Sequence, residues 1–202
     1  MGRSKKIVLD IDIGGTTTRY SQGSAFRKFK TPKKKGEFVS LLKTFPKAES
    51  IEIGAAGVIE GTRVKKSPNI KYLKNFDFLN IFPNARLSVD NDARFFLKKR
   101  LGKFGRKRIL ALIIGTGIGR AYGERGKVLK IKSLEYPEKW EKEYQKIRDK
   151  KDYKKLAGFL GKKFSVLTKK YRPDAVILGG GVLRKKGFYK MLKDKVKIKT
   201  YV

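Results

Sequence analysis

The chain has 202 residues, 40% of them apolar, and it carries 52 Lys and Arg against 18 Asp and Glu, a formal net charge of +34. This length suits one large domain or two small ones with a buried core, which excludes a wholly disordered chain. There is no Cys and no His, so disulfides, thiol catalysis and a histidine general base are excluded.

The first thirty residues predict a three-stranded meander. Its strands are residues 5–13, 16–20 and 25–30, and the turns between them are Gly14-Gly15 and Gln22-Gly23. Apolar and polar residues alternate along the first strand, which predicts that one of its faces is buried.

The next segment predicts alternating helices and strands. The predicted elements are a short amphipathic helix at 37–45, strands at 50–54 and 87–90, and a helix at 93–101. Between the two strands, residues 58–84 are rich in turn-forming residues.

The second half predicts a similar order of elements. The predicted elements are strands at 108–114, 120–122 and 128–131, a helical stretch at 138–171 interrupted near 149–152, a strand at 175–178, a helix at 188–193 and a last strand within 195–202. The segments IDIGGTTTRY and LIIGTGIGRAY both place glycines after an apolar strand, with Arg and Tyr a few residues on. We therefore expect an α/β fold of two related domains, 1–101 and 102–202, rather than one doubly wound sheet.

Three glycine clusters each follow an apolar strand directly: Gly14-Gly15, Gly115-Thr116-Gly117 and Gly179-Gly180-Gly181. Glycine turns let backbone N–H groups point at an anion without a Cβ in the way, and the Thr16 and Thr17 hydroxyls add donors. An ordinary hairpin with a polar face is the alternative for a single turn. None of the clusters matches the phosphate-binding loop GxxxxGK[ST] or the dinucleotide turn GxGxxG.

Two carboxylates stand next to these motifs. Asp12 ends its strand beside the first turn, where a carboxylate suits a phosphate if Mg²⁺ lies between them. The position of Asp92 alone, after a strand and before a helix, favours a helix N-cap. Its functional alternative is a general base that takes the proton of a hydroxyl attacking a phosphoryl group, and Asp90 is the other candidate for that role.

Together these segments resemble the ROK family (repressors and sugar kinases) of the actin-like ATPase superfamily. The segment at 12–19 resembles the first phosphate motif DxGGTxxR, and the segment at 54–58 resembles the GxPG loop with Ala56 in place of Pro. Four further segments resemble the sugar-contacting Asn segment, the catalytic motif, the second phosphate motif and the adenosine motif, and they are residues 67–69, 89–93, 115–119 and 177–182.

The resemblance implies two actin-like, ribonuclease H-like domains with a nucleotide cleft between them. It implies that Asp92 is the catalytic base, that Gly57, Asn69, Asn91 and Asp92 bind the sugar, and that Asp12 acts on Mg²⁺ through water. The residues that it implies for ATP binding are Asp12, Gly14, Gly15, Thr16, Thr17, Arg19, Gly115, Thr116, Gly117, Gly179, Gly180 and Gly181.

The sequence also departs from the family pattern. The usual ExGH segment and the His/Cys zinc site have no counterpart between the second phosphate motif and the adenosine motif, where the chain has no His or Cys. Glu124 and Glu135 are weak substitutes for the sugar-binding Glu. The first motif begins near residue 12, which disfavours the repressor branch, since that branch carries an N-terminal helix-turn-helix.

We therefore expect an ATP-dependent sugar kinase that transfers the γ-phosphate to a hexose hydroxyl, with Mg²⁺ and without zinc. The alternative is a nucleotide-binding actin-like protein that has lost sugar phosphorylation, because the ExGH segment is missing. The sequence leaves a homodimer open as the assembly.

The charge of +34 is spread along the chain, so nucleic acid is a further partner, expected to bind nonspecifically. A general lysine bias is the other explanation, and two Met and no Cys are compatible with a thermophile. No apolar run reaches the length of a bilayer span, and the first residues lack the apolar region of a signal peptide. We expect a cytoplasmic protein with no membrane partner.

Overall fold

The computed structural model describes residues 8–196 and 198–202. The chain divides into two compact units, Met1–Phe95 and Phe96–Val202. This division falls inside a helix, Asp92–Leu101. In the part of the chain that is described, no helix combines the length and apolarity needed to cross a bilayer.

From residue 8 onward, the first unit contains eight strands, one α-helix and the start of a second α-helix. The strands are β1 (Val8–Ile13), β2 (Thr17–Gln22), β3 (Ala25–Lys30), β4 (Ser50–Ala55), β5 (Val58–Glu60), β6 (Arg63–Lys66), β7 (Phe76–Asp77) and β8 (Arg86–Asn91). The helices are α1 (Lys35–Lys43) and α2 (Asp92–Leu101).

Five of these strands form a mixed sheet in the order β3-β2-β1-β4-β8. The meander β1–β3 is antiparallel, whereas β1, β4 and β8 are parallel neighbours. The predicted meander is therefore confirmed, and so is the alternation along its first strand, since Leu9, Ile11 and Ile13 are fully buried. Residues 5–7 of that predicted strand lie outside the described part of the chain.

A second, three-stranded sheet, β5-β6-β7, occupies part of the segment that the sequence marked only as turn-rich. Its strands have three, four and two residues. Strands this short carry too few residues for a period-2 pattern to be recognised, so the sequence did not predict them. The small sheet contributes Ile59, Val64 and Phe76 to the core of the first unit.

The second unit repeats the topology of the first. Its strands are β9 (Ile109–Ile114), β10 (Ile118–Glu124), β11 (Lys127–Leu129), β12 (Ala175–Gly179) and β13 (Thr200–Tyr201). They form one sheet in the order β11-β10-β9-β12-β13, with an antiparallel meander followed by parallel strands, as in the first sheet. The internal repeat inferred from the glycine motifs is thus matched by strand order and direction in both sheets.

Four helices complete the second unit, and they are α3 (Lys132–Glu135), α4 (Glu141–Asp149), α5 (Tyr153–Tyr171) and α6 (Phe188–Lys193). The break between α4 and α5 lies at residues 150–152, as predicted. The core beneath these helices is built from β9 and β12 together with the buried face of α5, where Leu160 and Phe164 are fully covered.

Candidate functional site

In the first unit, the predicted site residues follow the carboxyl ends of three adjacent parallel strands. Ile13 on β1, Ala55 on β4 and Asn91 on β8 are register partners across the sheet. The Gly14-Gly15 turn, the loop ending at Gly57 and the start of α2 therefore lie along one edge. In open α/β sheets, ligands bind outside the carboxyl ends of the strands.

The first glycine turn is held from one side by Thr31. The Thr31 Oγ1 hydroxyl donates to the Gly14 carbonyl at 2.7 Å, and the Thr31 N–H donates to the Thr16 carbonyl at 3.0 Å. In a planar trans peptide the N–H points opposite to the preceding C=O. The Gly15 N–H therefore points away from the Thr31 hydroxyl, an orientation that suits an anion placed over the turn, whereas the Thr17 carbonyl is bound by the Gly14 N–H within the hairpin. No sequence motif indicated this role of Thr31.

Asp12 and Arg19 are cross-strand partners on β1 and β2. The Arg19 Nε donates to Asp12 Oδ2 at 2.8 Å, and a guanidinium nitrogen of the same arginine donates to the same oxygen. The pair is partly exposed, with 41% of the Arg19 side chain and 21% of the Asp12 side chain accessible. Two predicted nucleotide-site residues are thus brought together, and Arg19 orients the Asp12 carboxylate beside the turn.

The residues of this edge are compatible with Mg²⁺ that is held largely by a polyphosphate. Within residues 8–196 and 198–202, no group of three or more acidic, His or Cys side chains forms a self-contained metal cage. Mg²⁺ in phosphoryl-transfer sites keeps several waters and needs only one or two carboxylates besides the phosphates. Asp12 alone satisfies that requirement.

The loop after β4 is fixed by two close approaches at Gly57. The Asn91 Nδ2 donates to the Gly57 carbonyl at 2.7 Å. Gly57 has φ +147°, and a Cβ there would lie 2.3 Å from the Lys66 carbonyl oxygen, so only glycine fits without displacement. The remaining amide oxygen of Asn91 accepts from the Ala93 N–H at 2.9 Å. Asn91 therefore joins this loop to the start of α2, and its predicted contact with a sugar remains a prediction.

The segment 67–69 packs against the same loop. The buried Ser67 Oγ donates to the Ala56 carbonyl at 2.6 Å, and it accepts from the Ile70 N–H at 3.3 Å. Asn69, one residue before Ile70, is exposed. Asn69 is therefore an exposed residue two positions after the serine that binds Ala56, and its contact with a sugar remains a prediction.

The two candidate bases differ in their surroundings. Asp90 is bound by the buried Arg94, whose Nε lies 2.5 Å from Asp90 Oδ1, and the same oxygen accepts from the Asn91 N–H at 2.7 Å. Asp92 is half-buried in the first turn of α2, where its Oδ1 accepts from the Ala93 N–H at 2.9 Å. A helix N-terminus favours the ionised carboxylate that a base needs. Asp90 is thus held by Arg94, and the role of Asp92 as the base remains a prediction.

Close packing of α2 on the sheet sets the position of Asp92. The Phe95 side chain lies against Gly54 of β4, where a Cβ would approach within 2.6 Å of the ring. Any larger residue at 54 would push α2 outward, so this glycine of the GxPG-like loop acts through packing.

In the second unit, the other two glycine clusters follow adjacent parallel strands. Ile113 on β9 and Gly179 on β12 are register partners, so residues 115–117 and 179–181 lie side by side. Gly180 has φ +100°, and a Cβ there would lie 2.3 Å from the Ile114 carbonyl oxygen. The two predicted motifs therefore form one continuous backbone surface.

Helix α4 holds the carbonyl side of the second turn. The Tyr144 hydroxyl donates to the Gly115 carbonyl at 2.6 Å, and Arg148 Nη1 donates to the same oxygen at 3.1 Å and also to the Thr116 carbonyl. Burial raises the pKa of Tyr144 to about 12, so its hydroxyl remains a donor. The N–H groups of Thr116 and Gly117 therefore point away from α4, as the Gly15 N–H of the first turn points away from Thr31.

The buried carboxylate of Glu141 binds the backbone directly after the second glycine turn. Glu141 accepts from the Ile118 N–H at 3.2 Å and from the Glu138 N–H at 3.1 Å, and burial raises the pKa of its carboxyl. Glu138 in turn binds the buried Arg120 at 2.5 Å. Sequence reasoning missed these residues, because nothing in their spacing relates them to the glycine turn.

Neither weak substitute for the missing sugar-binding Glu lies next to the second turn along the chain. Glu124 is at the end of β10 away from that turn and pairs with Lys127 across the β10–β11 hairpin. Glu135 ends α3. A sugar-binding role for Glu124 or Glu135 remains a prediction.

Comparisons with known proteins identify the fold. No protein-family model and no curated protein sequence match the chain. An inorganic polyphosphate/ATP-glucomannokinase from Arthrobacter sp. strain KM superposes with a TM-score of 0.74 and 20% identity, over 98% of this chain and 92% of that one. A ROK family glucokinase from Streptomyces griseus, in complex with glucose and AMPPNP, gives 0.72 and 17%, over 95% and 87%.

A regulator shares the same architecture. A ROK family transcriptional regulator, a homolog of the E. coli MLC protein, superposes with a TM-score of 0.63 and 12% identity, over 95% of this chain and 69% of that one. The fold is therefore common to enzymes and to a regulator. The resemblance inferred from the motifs is confirmed at the level of structure, and the chain has the α/β fold of ROK family proteins.

Proposed function

We propose that this protein is an ATP-dependent sugar kinase of the ROK type. The observation that supports the proposal is that the Gly14-Gly15 turn, the Gly57 loop and Asp92 follow three adjacent parallel strands at one edge of one sheet. Similarity to glucokinases and a glucomannokinase supports a sugar as the acceptor and ATP as the donor.

In the proposed reaction, Asp92 takes the proton of a sugar hydroxyl as that oxygen attacks the γ-phosphorus of ATP. The new bond joins the sugar oxygen to phosphorus, the bond to the β–γ bridging oxygen breaks, and ADP leaves with that electron pair. Asn69 and the Gly57 loop hold the sugar so that one hydroxyl faces Asp92.

The glycine turns orient the donor. The N–H groups that point away from Thr31 and from α4 bind phosphate oxygens of ATP, and residues 179–181 meet the adenosine. Mg²⁺, held through water by Asp12, would neutralise charge on the phosphates. We further propose that residues 1–101 and 102–202 are domains that enclose this nucleotide in a cleft.

The direct test replaces the base. We expect Asp92→Asn to abolish sugar-stimulated ADP release while Mg-ATP still raises the melting temperature, because the amide cannot accept the proton. The matched control, Asp194→Asn, makes the same change at an exposed residue after α6. Equal sugar-stimulated rates in the Asp92→Asn variant and the unaltered protein would remove Asp92 from the mechanism.

The second candidate is a nucleotide-binding protein without kinase activity. The position of Glu124 favours it, since the strand places this residue away from the second turn. In that case Mg-ATP raises the melting temperature, but no sugar from a broad panel of hexoses and N-acetylhexosamines stimulates ADP release.

A further inference from the structure

Helix α5 carries a strongly basic surface that the proposed kinase reaction does not use. Its 19 residues, YKKLAGFLGKKFSVLTKKY, include six Lys and no Asp or Glu. The opposite side of the helix is covered by the core of the second unit, through Leu156, Leu160, Phe164 and Leu167. The lysines therefore define the solvent side of a rigidly held helix.

The lysines fall into rows along that side. Lys155, Lys162 and Lys169 are exposed and are separated by seven residues each. Seven residues advance about 10.5 Å along an α-helix and rotate by only about 20° from two full turns. The backbone positions of the three lysines thus form a nearly straight row about 21 Å long, and Lys163 and Lys170 form a shorter row beside it.

Asp152 is the acidic residue at the start of the helix, and its carboxylate accepts from the backbone N–H of Lys155 rather than from a lysine ammonium. None of the ion pairs found among residues 8–196 and 198–202 involves a lysine of α5. A regular row of unneutralised cations on a rigid helix is complementary to a rigid polyanion, which releases condensed counterions when it is bound.

Two other polyanionic partners fit this face poorly. A membrane-surface helix inserts an apolar face, whereas the apolar face of α5 is buried and Val166 is the exposed large apolar residue on the helix. Single-stranded nucleic acid is bound by stacking on open aromatic rings, whereas the ring of Phe159, which lies between Lys155 and Lys162 in the sequence, packs edge-to-face on Trp140.

We propose that the row defined by Lys155, Lys162 and Lys169 binds the phosphate backbone of duplex nucleic acid, without base readout. This binding function is separate from sugar phosphorylation. The proposal depends on the arrangement of the α5 lysines and not on the glycine turns, so it is tested independently of the proposed kinase activity.

The test measures binding of a fluorescent DNA duplex and of an RNA duplex of equal length as a function of salt. The variant Lys155→Gln/Lys162→Gln/Lys169→Gln removes the three proposed phosphate contacts. Because log K decreases with log[salt], we expect this slope to become less negative by about 2.7. The matched control, Lys33→Gln/Lys47→Gln/Lys74→Gln, removes three exposed lysines of the first unit and changes the net charge equally. We expect its slope to remain near that of the unaltered protein.

Three results would overturn the proposal. If the slope became less negative by the same amount in both variants, binding would depend on net charge rather than on the α5 row. A slope in the α5 variant that equals that of the unaltered protein would show that the row does not touch the duplex. Binding of anionic lipid vesicles or of an unstructured single strand that depends on the α5 row, with duplex binding unaffected, would assign the row to that other partner instead.

Discussion

The side-chain amide of Asn91 donates a 2.7 Å hydrogen bond to the carbonyl of Gly57, which lies 34 residues earlier in the chain. This bond joins the end of β8 to the loop after β4. We predict that Asn91→Ala lowers the free energy of unfolding by about 1–3 kcal/mol, because a buried carbonyl loses its partner. It should also raise the sugar KM more than it lowers kcat, since the loop is no longer held.

Denaturant unfolding and steady-state kinetics measure both effects. The control is Asn84→Ala, which truncates an exposed asparagine of the same unit and should change neither quantity. Equal unfolding free energies for Asn91→Ala and Asn84→Ala would show that the Asn91 bond does not stabilise the loop.

Gly57 and Gly61 offer a second, matched comparison. Both have positive φ, +147° and +60°, but a Cβ at 57 would meet the Lys66 carbonyl at 2.3 Å, whereas a Cβ at 61 would meet nothing within 4 Å. We expect Gly61→Ala to cost about 1 kcal/mol of unfolding free energy and Gly57→Ala to cost more. Gly57→Ala should also weaken sugar binding, which thermal shift with sugar measures. Indistinguishable costs at the two positions would contradict the close approach.

The bond between Tyr144 and the second glycine turn predicts an effect on the nucleotide. We expect Tyr144→Phe to raise the ATP KM several-fold with little change in the sugar KM, because the Gly115 carbonyl loses its 2.6 Å donor and the turn loosens. Tyr171→Phe, which removes an exposed hydroxyl bonded to Ser133, is the control. A Tyr144→Phe enzyme with an unaltered ATP KM would exclude this role of α4.

Glu141 predicts a dependence of stability on pH. Burial raises the pKa of its carboxyl in the folded protein, so folding favours the protonated form. Its contribution is therefore fully present below the ordinary glutamate pKa and is lost as pH rises through the raised value. We therefore expect the melting temperature of Glu141→Gln to rise relative to that of the unaltered protein as the pH is raised from about 4 to about 7.

The unaltered protein and the Glu141→Gln variant are compared at each pH because other carboxylates change the stability in the opposite direction. The Thr62 hydroxyl holds the pKa of Asp77 below its ordinary value, so the contribution of Asp77 is lost as pH falls. That contribution is common to both proteins and cancels in the difference. A pH-independent difference in melting temperature would show that Glu141 titrates normally.

The sequence was sufficient for elements whose pattern is local. The alternation from Leu9 to Ile13 predicted a strand with one buried face, and the glycine clusters marked the ends of β1, β9 and β12. The repeated motif predicted the repeated topology, because a strand, a glycine turn and a second strand form a unit that is visible within about twenty residues.

Contacts between distant residues could not be predicted in this way. The hydroxyls of Thr31 and Tyr144 donate to carbonyls of the two glycine turns, which lie 17 and 29 residues earlier in the chain. Neither the residue type nor the spacing predicts such a bond. The structure adds what orients the turns, namely donors that bind their carbonyls and direct their N–H groups outward.

The anion role of the first turn is tested by adding a side chain to it. We expect Gly15→Val to weaken Mg-ATP binding in calorimetric titration, because the isopropyl group occupies the space over the turn, while unfolding stays cooperative. Gly36→Val, in the first turn of α1 where a Cβ would meet nothing within 4 Å, controls for the added volume. Unchanged ATP affinity in Gly15→Val would remove this turn from the nucleotide site.

The central claim is that this chain moves a phosphoryl group from ATP to a sugar. Phosphorus NMR of the protein with Mg-ATP and a panel of hexoses and N-acetylhexosamines observes that transfer directly. The account predicts a sugar phosphate-monoester signal that grows in step with ADP for at least one sugar and is absent with Asp92→Asn. ATP that binds, yet gives no phosphate monoester with any of these sugars, would contradict it.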